Sequence, residues 1–131
     1  MPNTNQAGAK SGAPPILVVE NDEDSRALLC CFLKEEHFSV VSAVNGREAM
    51  DYLRSGNRLP SVILLDLNMP VMDGFAFRKA QLASNDALAH VPVIVMSAQP
   101  QTESVGMCVK DVLTKPLSLP LLMAAIRRTG T

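Results

Sequence analysis

Val62-Ile63-Leu64-Leu65 runs without a break into Asp66. Four apolar residues, β-branched at the start, read as a strand buried on both faces, the kind that lies inside a helix-covered parallel sheet. Pro60 stands ahead of the run, and Pro70 with Asp73-Gly74 closes it with turn chemistry. Asp66 therefore sits where the strand ends. Open parallel sheets bind ligands outside the carboxyl ends of their strands, which puts this carboxylate at the reactive edge. A charge beside so much apolar surface is costly unless something pairs with it. The rest of the chain must supply that partner.

Strands and helices alternate along the sequence. Ile16 to Val19 reads as a first strand, followed by Glu20-Asn21-Asp22-Glu23-Asp24, whose acids suit a helix N-terminus. The helix that follows is expected to turn Leu28, Cys31 and Phe32 inward and to end near His37. Phe38 to Ala43 is a second strand. Asn45-Gly46-Arg47-Glu48 has the form of a capping box and opens a helix with Ala49, Met50 and Leu53 inward. After Asp66, Asp73-Gly74 starts a helix to about Ser84 that rests on Phe75, Phe77 and Leu82. Val91 to Met96 is a fourth strand, and residues 99–108 are irregular, with room for one short helix. Val109 to Leu113 is a fifth strand, and Ser118 caps a last helix with Leu121, Leu122, Ala125 and Ile126 inward. Five such units imply a parallel sheet with right-handed crossovers and helices on both faces.

At 131 residues the chain is expected to form one domain, over 15–131, behind a disordered tail of residues 1–14. A net charge of −1 gives no support to nucleic-acid or anionic-membrane binding, and no apolar run is long enough to span a bilayer. The tail has no apolar signal core, so a cytoplasmic protein is expected. Its three cysteines then read as core thiols rather than a disulfide or metal site.

The strand ends bring chemistry to one edge. They deliver Glu20, Asn21 and Asp22, then Asp66, the Ser97 hydroxyl and the Lys115 ammonium. Oxygen ligands without histidine or thiolate suit a hard cation such as Mg²⁺, which keeps several waters and takes one or two carboxylates. A lysine, a hydroxyl and Mg²⁺ together stabilise a transferring phosphoryl group. Asp66 is the available nucleophile, since a carboxylate can form an aspartyl-phosphate. Each residue also has a blander reading. The acids could simply cap a helix, Asp66 could be a lysine-paired structural group, and Ser97 could be a helix cap.

In this order and spacing, the marks resemble a response-regulator receiver domain, the phosphoacceptor half of two-component signalling. They are the acidic group after Leu17-Val18-Val19, Leu65-Asp66-Leu67-Asn68-Met69-Pro70, Met72-Asp73-Gly74, Met96-Ser97-Ala98 and Leu113-Thr114-Lys115-Pro116. The resemblance implies a flavodoxin-like, doubly wound five-stranded α/β fold of strand order 2-1-3-4-5. It implies a signalling switch rather than an enzyme. Asp66 would accept phosphate from the phosphohistidine of a sensor histidine kinase or phosphotransfer protein and signal to a downstream effector. Glu20, Asn21, Asp66 and the Asn68 backbone carbonyl would hold Mg²⁺, Ser97 would bond the phosphoryl group and Lys115 would pair with it. The Lys115-Pro116 bond is expected to be cis.

Three features depart from the family pattern. Asn21 stands where receivers usually carry a second metal carboxylate, with Asp22 one place late. Val112 stands where an aromatic often reports phosphorylation. The 18-residue step from Ser97 to Lys115 is about one helical turn short, so a shortened fourth helix is expected. These departures keep an alternative open, a pseudo-receiver serving as a phosphorylation-independent interaction module. A Mg²⁺-dependent phosphatase fits less well, because neither Leu67 nor Asn68 supplies a general acid. With no effector domain after Thr131, the sequence reads as a single-domain regulator or an excised module.

Overall fold

The computed structural model describes residues 13–69, 71–84, 87–99 and 106–131. The elements follow as β1 (Ile16–Val19), α1 (Glu23–Glu35), β2 (Val40–Ala43), α2 (Gly46–Arg54), β3 (Val62–Asp66), α3 (Gly74–Leu82), a 3-10 turn at Ala87–His90, β4 (Val93–Ser97), β5 (Asp111–Thr114) and α4 (Leu119–Arg128). The five strands form one parallel sheet in the order β2-β1-β3-β4-β5, as expected. β1, β3 and β4 lie inside it and are buried along their whole length, which explains their unbroken apolar runs. The edge strands β2 and β5 carry partly exposed positions instead.

Alternation along the strands divides the core into two layers. Leu17, Val19, Ile63, Leu65, Val93 and Val95 face one side, packed with Ala49, Met50 and Leu53 of α2 and Phe77 of α3. Ile16, Val18, Val62, Leu64, Ile94 and Met96 face the other, under Leu29 and Leu33 of α1 and Leu122, Ala125 and Ile126 of α4. Asp22, Asn45, Asp73 and Ser118 each accept a backbone amide three residues on, capping the four helices. α1 ends in a Schellman turn, with Phe38 N donating to Leu33 O at 3.0 Å and His37 at φ 71°.

Several expectations are corrected. The buried face of α1 is Leu29 and Leu33, one position off the expected stripe; Leu28 is 63% exposed, Cys31 is exposed and Phe32 is only partly buried. The cysteines are accordingly not core thiols: Cys30 is half-buried while Cys31 and Cys108 are exposed, and all three are free. On α3, Phe77 is buried as expected, but Phe75 and Leu82 are exposed and Arg78 and Gln81 take the inner positions. On α4 Leu121 points outward and Met123 inward. β2, β4 and β5 each begin two residues later than expected, at Val40, Val93 and Asp111. The expected short fourth helix falls largely on residues 100–105, outside the described residues, as do residues 1–12 of the expected tail; Ala13 and Pro14 are half-buried. Among the described residues no helix is long and apolar enough to cross a membrane.

Candidate phosphoacceptor site

The parallel register brings the ends of β1, β3 and β4 level, because Val19 pairs with Leu65 and Asp66 with Met96. One residue past β1, Glu20 is 1% exposed; Asp66 is 3% exposed at the tip of β3. Two buried carboxylates at one edge need a cation between them. Lys115, one residue past β5, supplies it: Nζ lies 3.0 Å from Glu20 Oε1 and 3.2 Å from Asp66 Oδ1. Its backbone is set by β4, since Lys115 N donates to Ser97 O at 2.8 Å, and the Lys115-Pro116 bond is cis.

Each group is further held by local backbone. Glu20 Oε2 accepts from Asp22 N at 3.1 Å, and Asp66 Oδ1 accepts from Asn68 N at 3.3 Å. The buried Ser97 hydroxyl accepts from Gln99 N at 3.0 Å. Gly74 closes the loop after Asp66, its amide reaching Leu67 O at 3.2 Å. A Cβ there would sit 2.8 Å from Leu67 Cα and 2.9 Å from Asp66 O, so glycine is required by close approach.

Burial pushes the Asp66 carboxyl up to about 6, with the hydrogen bond to Glu20 and its charge adding to the rise and Lys115 opposing it. For Lys115, burial works against the charge, but the hydrogen bond to Glu20 and the two carboxylate charges outweigh it and hold the ammonium above its ordinary value. Asp22 is different. Its side chain caps α1 by accepting from Ser25 N at 2.8 Å, and that bond lowers its pKa. It is thus engaged away from the pair formed by Glu20 and Asp66.

The expected site residues therefore separate by role. Glu20, Asp66 and Lys115 are in direct contact, and Ser97 stands on the neighbouring strand end, tied to Lys115 through the backbone. Asn21 and Asn68 are exposed at the rim. Among the described residues no group of three His, Cys, Asp or Glu gathers to hold a metal. What the edge does offer is oxygen chemistry, two buried carboxylates each followed closely in sequence by an exposed asparagine, Asn21 and Asn68. Both carboxylates already share one cationic group, the Lys115 ammonium. Such a set fits a hard divalent ion that keeps several of its waters. One contributor escaped the sequence reading: Arg26, half-buried on α1, donates from Nη1 to Glu20 O at 2.9 Å and to Asn21 O at 3.3 Å. A basic residue four places into the helix after an acidic strand end is its only mark in the sequence, and that mark does not show the side chain turning back onto the main chain.

Residues 16–127 match the family model of the response regulator receiver domain. The chain belongs to that family. Among its relatives, the transcriptional regulatory protein PrrA of Mycobacterium tuberculosis is 38% identical over 121 residues, covering 88% of this chain and 49% of PrrA. This receiver domain spans only 5% to 15% of three larger relatives, among them a hybrid signal transduction histidine kinase of Dictyostelium discoideum. Among solved structures, the signal receiver domain of a histidine kinase from Syntrophus aciditrophicus superposes with a TM-score of 0.80 at 30% identity, covering 89% of each chain. The receiver domain of a Pseudomonas aeruginosa sensor histidine kinase, solved with a magnesium ion coordinated in its active site cleft, reaches a TM-score of 0.81 at 22% identity, covering 92% of this chain and all of that one. That last likeness is one of fold. Receiver domains are signalling switches of two-component systems, and this one has their five-stranded sheet in full.

Proposed function

We propose that this receiver domain is a phosphorylation-controlled switch whose acceptor is Asp66. The observation that carries the reading is the buried Asp66 carboxylate sharing the Lys115 ammonium with Glu20 at the end of β3. An Asp66 oxygen attacks the phosphorus of a phosphohistidine on a sensor kinase or phosphotransfer protein. The new P–O bond forms as the P–N bond breaks, and the leaving imidazole nitrogen keeps the bonding pair. Lys115, already in contact with the acceptor, follows the charge onto the phosphoryl oxygens as a charge-assisted donor. The Ser97 hydroxyl, one strand over, donates to the same group by rotating its O–H, while its oxygen can keep accepting the Gln99 amide.

Glu20, Asn21, Asp66 and the Asn68 carbonyl would hold Mg²⁺, which when bound neutralises charge on the transferring phosphoryl group. The two-carboxylate set and the exposed Asn21 amide also support a second reading, a protein-interaction platform that never takes phosphate. Incubation with Mg²⁺ and a small phosphodonor, followed by intact and peptide mass spectrometry, decides between them. The expected result is one added phosphoryl group on Asp66, absent in Asp66→Asn. No gain by the wild type at saturating donor and metal would establish the platform reading.

A further inference from the structure

Arg26 makes a contact that a surface helix arginine has no need to make. It lies at the fourth position of α1, where its main-chain amide closes the first turn on Asp22 O at 2.9 Å. Its side chain folds back over the helix start. Nη1 reaches two consecutive carbonyls, Glu20 O at 2.9 Å and Asn21 O at 3.3 Å, and Arg26 forms no ion pair among the described residues. A guanidinium spent on carbonyl oxygens holds backbone geometry rather than a charge partner.

The peptide it grips is the one that matters. The Asn21–Asp22 peptide has its carbonyl bonded to Arg26 and its N–H bonded to Glu20 Oε2 at 3.1 Å. Its rotation is thus restrained at one end by Arg26 and at the other by the Glu20 carboxylate that also meets Lys115. Swinging that peptide would move the Asn21 side chain and release Glu20 Oε2 together.

We infer that Arg26 is a positioning residue for the acceptor site, holding the turn after β1 so that the Glu20 and Asn21 oxygens face an incoming cation. The inference rests on the proposed function and assigns the geometry of that site to a residue outside it. Charge and geometry make opposite demands here, which lets them be told apart. A guanidinium close to a divalent cation repels it, so if Arg26 acted through charge alone its removal would tighten Mg²⁺ binding. If it acts by positioning, its removal weakens binding, as loss of a supporting contact behind a ligand typically does, by about tenfold or more.

The test is calorimetric titration of Mg²⁺ alone into metal-free wild type, Arg26→Met and Arg26→Lys, with urea midpoints in chelator recorded beside each. Arg26→Met is expected to bind Mg²⁺ about tenfold more weakly, with Arg26→Lys between it and the wild type because an ammonium still reaches one carbonyl. Phosphorylation of Arg26→Met by a small donor should recover its wild-type extent when Mg²⁺ is raised in proportion. Affinity in Arg26→Met equal to or tighter than wild type overturns the inference while leaving the acceptor reading intact. A wild type that binds no Mg²⁺ overturns both. Should Arg26→Met fail to fold, the Arg26→Lys titration decides alone, with wild-type affinity in that variant counting against positioning.

Discussion

Arg78 and Gln81 lie one turn apart on α3 and hydrogen-bond to each other, Nη1 to Oε1 at 2.7 Å, inside the protein. Arg78 extends the network to Met107 O at 3.0 Å and Cys108 O at 2.6 Å; Gln81 Nε2 serves Leu88 O at 2.9 Å and Val91 O at 3.0 Å. The pair thereby ties α3 to the turn before β4 and to the approach to β5, using carbonyls that no ladder satisfies. Cys108, at φ 53°, is held by one of these bonds.

Breaking this network should cost stability well beyond a surface change. Arg78→Met leaves two carbonyls without their donor, and a loss of about 2–4 kcal/mol is expected by urea unfolding. Gln81→Leu should cost about 1–3 kcal/mol, and the double variant less than the two losses added, because they share one network. Losses within about 0.5 kcal/mol of zero would show that water replaces the side chains at no cost.

The acceptor carboxylate should leave a signature in the pH dependence of stability. Its folded-state value of about 6 lies above the ordinary 3.8, chiefly because it is buried, so the folded protein holds this proton more tightly than the unfolded chain. The contribution is full below 3.8 and is lost as pH rises through about 6. Asp66→Asn removes that slope and, in chelator at pH 7.5, is expected to be more stable than wild type by an amount on the order of 1–3 kcal/mol. Parallel slopes for the two proteins between pH 4 and 7 would place the titration elsewhere.

Val71 is a β-branched residue at φ 71°, and its side chain is 76% exposed. The left-handed conformation is a genuine outlier for such a side chain, and so much exposure returns little burial to offset it. Val71→Gly and Val71→Asn should each raise stability by about 1 kcal/mol, glycine gaining less than its steric relief because it also loosens the unfolded chain. Unfolding midpoints in urea measure both. If both variants are less stable than wild type, Val71 makes a contact worth more than the strain.

Much of this architecture was legible because one rule governs it: apolar runs that stop at Asp66 and Ser97 must be inner parallel strands, and inner parallel strands bring their ends together. Helix faces were harder. Ala27 to Leu33 is apolar at every position, so a stripe starting at Leu28 and one starting at Leu29 fit the periodicity equally; the sheet selects Leu29 and Leu33. α3 misleads in the opposite way, since Arg78 and Gln81 occupy inner positions by satisfying main-chain carbonyls, a partner that side-chain patterns do not display. That Glu20, Asp66 and Lys115 meet at one edge was readable from strand ends; that the two carboxylates share the ammonium was not. The hold of Arg26 on the turn was not, because it acts on backbone.

Asn21 remains the residue on which this receiver domain differs most from a strongly acidic site. It is exposed at the end of β1, and the next acid, Asp22, is occupied in capping α1. An acid at position 21 would add a third carboxylate beside Glu20 and Asp66 without disturbing that cap. Ligand charge matters to a cation that dehydrates reluctantly, so Asn21→Asp should tighten Mg²⁺ by about tenfold, equivalent to about 1.4 kcal/mol. The same charge repels Glu20 and Asp66 when no metal is present, so the variant should unfold at lower urea than wild type in chelator. Both shifts have one cause and must appear together. Calorimetric Mg²⁺ titration and urea midpoints in chelator read them independently. Unchanged Mg²⁺ affinity would mean that the side chain at position 21 does not face the cation, whatever the midpoint does.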